Sequence, residues 1–343
     1  MLKKSSIFGG IDSKIFDNRK FIMTSPEVHK LCKDFRLGSL SSFFLEKNVL
    51  ISHSNFLVFL KTNKGDYVFK FYPLRLSKDI IKELVLNKYL IKRGIRTPLM
   101  ITTSNNKPFA ETKTYLISCY EYIQGDPLYS WELNRFLISK IVRNIYSLND
   151  MLSTLSKIPR IQYVLDKESY VDKIRFLKTM IKRCPDLKEK ELIVNCQKKI
   201  QHHYVRHLKL FIKRPIHSNI SLSNILYDKN HIYILDLSHI RFDYELNDLA
   251  NLYVSLCFFE VQESKMRILI NEYFKIFKFR PIQLQILYNF IILHFLKEYL
   301  KILKKEENIP EGNTQPEMEI FRAELMKQKN KINKQIEKII YQF

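Results

Sequence analysis

Strand-type and helix-type patterns occupy different parts of this sequence. Between residues 39 and 72, short apolar runs alternate with polar breaks, and a further apolar run, TYLISCYEYI, covers 114–123. From residue 135 onward the apolar residues recur mostly at helical spacing, interrupted by a β-type stretch at 215–238. Because strands and helices are segregated along the chain, the pattern predicts an α+β protein built of two lobes.

A short turn-rich segment, residues 124–127 (QGDP), separates the two kinds of pattern. Gly and Pro in so short a stretch indicate a linker at this point. We therefore predict an N-terminal lobe at 1–123, with a small antiparallel sheet and one helix, and a mostly helical C-terminal lobe at 124–343. A chain of 343 residues is long enough to build two such lobes.

The N-terminal lobe contains a predicted β-hairpin followed by a helix. The runs Phe56–Leu60 and Tyr67–Tyr72 flank the turn-type residues 63–66 (NKGD), which is typical of a hairpin with a Gly-containing loop. Ser77 is placed to cap the helix that follows, and Gly94 is placed to end it.

The final segment, 317–343, carries an apolar stripe at helical spacing. The repeat is too short to indicate a coiled coil, so we expect this helix to pack on the protein's own C-terminal lobe rather than on a partner helix. The stripe consists of Met318, Phe321, Leu325, Ile332, Ile336 and Ile339.

The chain is strongly basic, with 57 Lys and Arg against 35 Asp and Glu and a formal net charge of +22. Such an excess attracts polyanions, including nucleotides and nucleic acids. The basic residues are scattered, however, and form no dense block or aromatic-interleaved motif. Abundant Lys, Ile and Asn with only 7 Gly also fit a compositional bias, so the charge alone is weak evidence and we do not expect nucleic-acid binding to be the main function.

Several features indicate a cytoplasmic protein. The longest uncharged run, Pro281–Leu296, contains polar residues and is shorter than the roughly 18–20 apolar residues that cross a bilayer. The N-terminal lysines are not followed by the apolar core of a signal peptide. Five cysteines lie far apart without a CxxC pair, which argues against a disulfide framework and against a zinc site. We expect no transmembrane segment.

The chemistry-bearing motif lies in the β-type stretch. Its skeleton is His217, then Asn219, then Asn224 five residues further, with Asp236 at the end of the apolar run IYIL. Kinase catalytic loops follow the pattern H-x-D-x-x-x-x-N with a metal-binding Asp downstream. Amide and carboxylate oxygens are the hard donors that Mg²⁺ requires, which suits Asn224 and Asp236.

These residues resemble the aminoglycoside phosphotransferase and choline kinase family, a branch of the protein-kinase-like fold that also includes homoserine kinases. Family members carry H-G-D-x-x-x-x-N, an I-D-F/W strand and a D-L-A helix start. The present chain has HSNISLSN at 217–224, ILDLSHIRF at 234–242 and Asp248-Leu249-Ala250. The resemblance covers roughly residues 30–300 and assigns structural roles to His217 and Asp248, the latter as a helix cap that also steadies the loop.

The resemblance implies ATP and Mg²⁺ as cofactors and a small hydroxyl-bearing molecule as the substrate. Lys70, in the strand YVFKFY, matches the lysine that contacts the α- and β-phosphates, and Glu83 on the next helix matches its partner. Asn224 and Asp236 match the two metal ligands. The residues expected to cover the nucleotide, or to meet adenine through their backbone, are Ser54 and Asn55 in a hairpin turn and Tyr120, Glu121, Tyr122 and Ile123 in the hinge.

The catalytic loop departs from the family at its most important position. Asn219 stands where the family has an Asp, and a neutral amide cannot accept a proton. Ser218 replaces the preceding glycine, and Ser238 replaces a second acidic residue that often follows the metal-binding Asp. Two nearby acids, Asp243 and Glu245, are candidates for a substitute base.

Two functions therefore remain open from the sequence. The first is an ATP-dependent kinase of a small molecule, in which Asn219 orients the acceptor hydroxyl; the retained metal ligands Asn224 and Asp236 favour it. The second is a catalytically impaired pseudokinase with a structural or regulatory role, as in the family's spore-coat-type members, and Asn219 with Ser238 favours it. The sequence does not identify the acceptor or the oligomeric state.

Overall fold

A computed structural model describes most of the chain and divides it into two compact units. The larger unit comprises the described residues within 24–169 and 206–291, and the smaller unit those within 170–205 and 292–343. The described residues are 25–45, 56–128, 132–155, 166–167, 170–184, 186–207, 213–228, 230–281, 283–307 and 316–342.

The secondary structure runs from strands to helices as predicted, except that a helix at Ser25–Asp34 precedes the sheet. The described part of residues 1–123 therefore contains two helices, and the prediction of one helix there is wrong. The helices are α1 (Ser25–Asp34), α2 (Ser77–Lys92), α3 (Arg135–Leu155), α4 (Tyr170–Arg183), α5 (Leu187–His207), α6 (Leu246–Phe258), α7 (Glu263–Phe277), α8 (Gln283–Glu307) and α9 (Pro316–Gln342). The strands are β1 (Leu40–Leu45), β2 (Phe56–Thr62), β3 (Gly65–Pro73), β4 (Met100–Ile101), β5 (Ala110–Glu111), β6 (Tyr115–Glu121), β7 (Asp126–Pro127), β8 (Asp166–Lys167), β9 (Lys213–Ile216), β10 (Ile225–Asp228), β11 (His231–Ile234) and β12 (Arg241–Tyr244).

A six-stranded antiparallel sheet forms the first part of the larger unit. Its order is β1-β2-β3-β6-β4, with β5 also paired to β6. Strands β2 and β3 form the predicted hairpin, in which Thr62 lies opposite Gly65 across the turn. In the same register, Lys70 of β3 lies between Leu57 of β2 and Ser118 of β6, at the centre of the sheet. The hairpin prediction is confirmed.

Helix α2 packs against the sheet but starts differently from the prediction. It begins at Ser77 itself, directly after a 3₁₀ turn at Leu74–Leu76, and no side chain caps its first turn, so the predicted Ser77 cap is wrong. The helix ends before Gly94, which takes a left-handed φ of 83° as expected. Asn87 fixes the next strand, because its side chain donates to the Pro98 carbonyl and accepts from the Met100 amide.

Two small sheets position the motif-bearing stretch within the larger unit. One has the order β11-β10-β7 and the other the order β8-β12-β9. The β-type stretch predicted at 215–238 is thus confirmed. Helix α3 contributes a fully buried face to the same unit, with Ile141, Val142, Ile145, Leu148 and Leu152 among its buried residues.

The C-terminal helix α9 lies in the smaller unit. Four residues of its predicted stripe are buried there, namely Leu325, Ile332, Ile336 and Ile339. Lys329 also lies over the ring of Tyr299 on α8, at 5.6 Å from the ring centre. The helix therefore packs within its own chain. None of the helices in the described parts of the chain is long and apolar enough to cross a membrane.

Candidate functional site

An ion pair joins the sheet of the larger unit to the end of strand β11. The Nζ atom of Lys70 donates to Oδ1 of Asp236 at 2.8 Å, although the two residues are 166 positions apart in sequence. Both side chains are mostly buried, with 15% and 17% of their surface exposed. A pair held in this way is screened little by solvent, so each charge controls the other.

The pair fixes the charge state of both side chains. Burial alone would lower the pKa of Lys70, but the charges of Asp236 and then Glu83 outweigh burial and hold that pKa above its ordinary value. Burial alone would raise the pKa of Asp236, but Lys70 outweighs it and holds that pKa well below its usual range. An ammonium and a carboxylate are therefore present together at neutral pH.

Glu83, the predicted partner of Lys70, makes its hydrogen bonds to tyrosines. The hydroxyl of Tyr72 lies 3.1 Å from Oε2 of Glu83 and 3.1 Å from the hydroxyl of Tyr120. Glu83 is only 3% exposed, and this burial raises the pKa of its carboxyl although Lys70 opposes the change. Asp236 is thus the carboxylate in direct contact with Lys70. Glu83 also raises the pKa of Lys70 through its charge, without a hydrogen bond to the ammonium among the described contacts.

The loop that contains Asn219 is held by a neutral histidine. Nε2 of the buried His217 lies 2.8 Å from the carbonyl oxygen of Leu235, and Nδ1 accepts from the amide of Asn219 at 3.3 Å. The two bonds together require a ring with its single proton on Nε2. Burial lowers the pKa of His217 to about 4, which agrees with a neutral ring. His217 therefore links the loop to the strand end that carries Asp236.

Asp248 supports the same loop from helix α6. Its Oδ1 accepts from the amide of Ser218 at 2.6 Å, and its Oδ2 accepts from the amide of His217 at 3.2 Å and from Asn149 at 3.4 Å. Burial raises the pKa of Asp248 to about 7, against the effect of these donors. No side chain caps helix α6, so the expected capping role of Asp248 is wrong, whereas its expected contact with the loop is present.

The side chain of Asn224 is oriented by the loop. Its side-chain Nδ2 donates to the backbone carbonyl of Asn219 at 2.9 Å, and the backbone carbonyl of Asn224 accepts from the amide of Leu235 at 2.9 Å. Because the amide nitrogen is engaged in this way, the side-chain oxygen is the atom available to a cation. Amide and carboxylate oxygens from Asn224 and Asp236 form a donor set that fits Mg²⁺.

Neither of the candidate substitute bases is suited to that role. Asp243 is fully buried, and its carboxylate accepts from the amide of Tyr244 at 2.9 Å and from Asn247 at 3.3 Å. Glu245 lies 3.5 Å from the guanidinium of Arg214. Both carboxylates are engaged in structural contacts, so neither replaces the proton-accepting Asp that the family has at position 219.

The predicted hinge, residues 120–123, begins in the last two residues of strand β6 and continues beyond it. Amides of Glu121 and Tyr122 donate to the carbonyls of Leu99 and Asp66, respectively. Tyr120 is paired within the sheet, and the amide of Ile123 has no acceptor in the described part of the chain. Among the predicted hinge residues, Ile123 is therefore the one whose backbone donor is open to adenine. Ser54 and Asn55, predicted to cover the nucleotide, lie outside the described residues.

Sequence reasoning missed three contacts in the site, made by the hydroxyl of Ser238, the ring of His239 and the side chain of Tyr120. The hydroxyl of Ser238 donates to Oδ1 of Asp236 at 2.7 Å, and Nε2 of His239 lies 3.4 Å from Oδ2. Tyr120 was assigned to the hinge through its backbone alone. The alternation of side chains along paired strands is the signal that places Tyr72 and Tyr120 on the same face as Lys70.

Comparison with solved structures assigns the chain the bilobal, protein-kinase-like α+β fold shared by aminoglycoside phosphotransferases and choline kinases, and so confirms the predicted fold class. No family model and no curated protein matches the chain.

Three solved structures illustrate this likeness. An amicoumacin kinase, solved with AMP-PNP and Ca²⁺, aligns with a TM-score of 0.67 at 13% identity over 90% of this chain and 92% of that chain. An aminoglycoside phosphotransferase, solved with GDP and kanamycin, aligns with a TM-score of 0.64 at 15% identity over 91% and 97%. Choline kinase LicA from Streptococcus pneumoniae aligns with a TM-score of 0.61 at 14% identity over 92% and 98%.

Proposed function

We propose that this protein is a member of the aminoglycoside phosphotransferase and choline kinase family that binds MgATP and transfers the γ-phosphate to a hydroxyl group of a small molecule. The observation that carries the proposal is the 2.8 Å contact between Lys70 and Asp236, made by residues 166 positions apart within a kinase-like fold. In that fold a lysine of the central strand and a metal-binding aspartate meet at the nucleotide phosphates.

Each residue has a specific task in this proposal. Asp236 and Asn224 would hold Mg²⁺, which when bound neutralises charge on the phosphates. Lys70 would turn from Asp236 toward the α- and β-phosphates, whose negative charge would replace that of the carboxylate and keep the ammonium charged. The backbone amide of Ile123 would meet adenine.

Asn219 would act by orientation and not by proton transfer. Its backbone is fixed on both sides, by His217 at the amide and by Asn224 at the carbonyl, so the side chain projects from a rigid support. Phosphoryl transfer depends mainly on positioning and electrostatic stabilisation, which an amide can assist. The missing general base is expected to cost about 10²–10⁴ in rate.

A pseudokinase with a structural or regulatory role is the second candidate. It is favoured by the commitment of Asp243 and Glu245 to other contacts, because no acid near the loop then replaces the family's Asp. This candidate keeps the nucleotide site but predicts negligible turnover.

Nucleotide binding separates both candidates from a protein without a nucleotide site. Thermal unfolding should be measured with ATP alone and with ATP plus Mg²⁺, and we expect stabilisation that increases with Mg²⁺. Asp236→Asn should remove the Mg²⁺-dependent part, and Asn tolerates the left-handed φ of 61° at this position. Asp228→Asn is the matched control, because Asp228 also pairs with a histidine three residues later. Lack of any ATP effect on the natural chain would refute both candidates.

Turnover then separates the two candidates from each other. Transfer of labelled γ-phosphate to aminoglycosides, choline and water should be compared in the natural chain and in Asn219→Asp. Comparable turnover in both proteins would support the kinase and show that Asn219 suffices. Measurable turnover in the natural chain that is about 10²–10⁴ times slower than in Asn219→Asp would support a kinase that lacks its general base. Turnover in Asn219→Asp with none detectable in the natural chain would support the pseudokinase.

A further inference from the structure

The two oxygens of Asp236 face different partners. Oδ1 accepts from Lys70 at 2.8 Å and from Ser238 at 2.7 Å, so two donors already occupy it. Oδ2 faces the imidazole of His239, whose Nε2 lies 3.4 Å away. Ser238 still occupies Oδ1 after Lys70 turns toward the phosphates, so a cation that approaches the open Oδ2 also lies next to Nε2 of His239.

We propose that His239 is a protein ligand of the divalent cation held by Asp236, and that the site consequently prefers Mn²⁺ to Mg²⁺. The proposal rests on the metal–nucleotide site of the proposed function and specifies which cation that site selects. Nothing in the family pattern of the sequence points to this position.

The distances suit two ligands of one ion. In six-coordinate sites with bonds of about 2.0–2.1 Å, adjacent ligand atoms lie about 3 Å apart. The 3.4 Å between Nε2 and Oδ2 needs only a small closing movement. The side chain of His239 is 56% exposed, so this movement meets little packing resistance, and the ring edge remains open to solvent for exchange of the ion.

The chemistry of the ligand decides the metal. Mg²⁺ prefers oxygen ligands and gains little from imidazole, whereas imidazole binds the first-row transition ions. Mn²⁺ is the weakest binder of that series and shares the preference of Mg²⁺ for oxygen, but it gains more than Mg²⁺ from a nitrogen donor. A set made of Asp236, Asn224 and His239 therefore adds a nitrogen donor that strengthens Mn²⁺ binding more than Mg²⁺ binding.

A second pair in the same chain shows what a purely structural His–Asp contact looks like. His231 and Asp228 also stand three residues apart, with Nδ1 and Oδ1 at 3.0 Å. There the carboxylate accepts in addition from the His231 amide at 2.7 Å and from the Tyr233 hydroxyl at 3.0 Å, so it stabilises the β10–β11 turn. Among the described residues, no backbone amide of His239 donates to Asp236, so the two side chains meet through the ring of His239 alone.

Pulsed electron paramagnetic resonance of bound Mn²⁺ tests the proposal directly. Protein labelled with ¹⁵N in its histidines, loaded with Mn²⁺ and ADP, should show a ¹⁵N coupling to the metal, which the unlabelled nucleotide does not contribute. His239→Gln should abolish the coupling and weaken Mn²⁺ binding about tenfold or more, with a smaller effect on Mg²⁺. His231→Gln is the matched control and should retain the coupling.

The outcomes distinguish this proposal from the proposed function. Mn²⁺ that binds in an Asp236-dependent way without histidine coupling would overturn the role of His239 and leave the nucleotide site intact. Coupling that survives His239→Gln would also overturn it. Failure of the protein to bind nucleotide with either metal would overturn the proposed function itself.

Discussion

Protonation of His217 is expected to disconnect the loop of Asn219 from the strand end that carries Asp236. The ring is fully buried, and its two nitrogens serve the Leu235 carbonyl and the Asn219 amide. A second proton on the ring would occupy the nitrogen that accepts from Asn219 and would place an uncompensated charge in the interior. Acid should therefore weaken this part of the molecule through His217.

The size of this effect follows from the pKa of the ring. An ordinary histidine has a pKa of about 6.5, whereas burial lowers the pKa of His217 to about 4. Because the pKa is lower in the folded state, the contribution is present in full above about pH 6.5 and is lost as the pH falls toward 4. At about 1.4 kcal/mol per pH unit, the contribution is worth about 3 kcal/mol.

Urea denaturation at pH 7.5 and pH 4.5 measures this contribution. The natural chain should lose about 2–3 kcal/mol more stability between these pH values than His217→Gln, whose neutral amide does not titrate. The variant should be the less stable protein at pH 7.5, and the difference should shrink in acid. His231→Gln, which changes a partly exposed ring, should follow the natural chain. Parallel losses in the natural chain and His217→Gln would refute the reasoning.

Three further substitutions test the surroundings of the site. Asp248→Ala should cost about 2–5 kcal/mol in urea denaturation, because it leaves the buried amides of His217 and Ser218 without acceptors; a cost below about 1 kcal/mol would contradict the support assigned to it. Ser218→Gly should raise stability by up to about 1 kcal/mol, since Ser218 holds a left-handed φ of 65° and its buried hydroxyl has no partner among the described residues; a loss of stability would contradict this. Tyr72→Phe should lower the melting temperature at pH 7 and cost about 1–3 kcal/mol, because Glu83 loses a buried donor; an unchanged melting temperature would show that the hydroxyl contact is dispensable.

The fold was predictable from the sequence where local patterns decide the structure. The hairpin of β2 and β3 follows from alternation around a turn-type segment, and the β-type stretch at 215–238 follows from its short apolar runs. The start of helix α2 was not predictable in this way. Ser77 has the chemistry of a cap, but a 3₁₀ turn leads directly into the helix and places Ser77 inside it.

The sequence predicted which residues form the site better than it predicted which of them contact one another. Motif spacing identifies Lys70, Asn224 and Asp236 as site residues. Spacing does not determine which carboxylate the lysine contacts. Glu83 is engaged by tyrosine hydroxyls because Tyr72 and Tyr120 come from paired strands, and strand pairing is a long-range property. The contact of His239 with Asp236 likewise depends on the turn after β11, which no motif describes.

The separation of 166 positions between Lys70 and Asp236 has a consequence for how the protein matures. Local hairpins can form within microseconds, but a contact that closes so long a loop must wait until both segments have folded and docked. When the strands of the N-terminal sheet have left the ribosome, the segment that carries Asp236 has therefore not yet been synthesised, and the site is incomplete. A ligand of this site would report completed folding in a cell, whereas an antibody against the hairpin would also recognise unfinished chains.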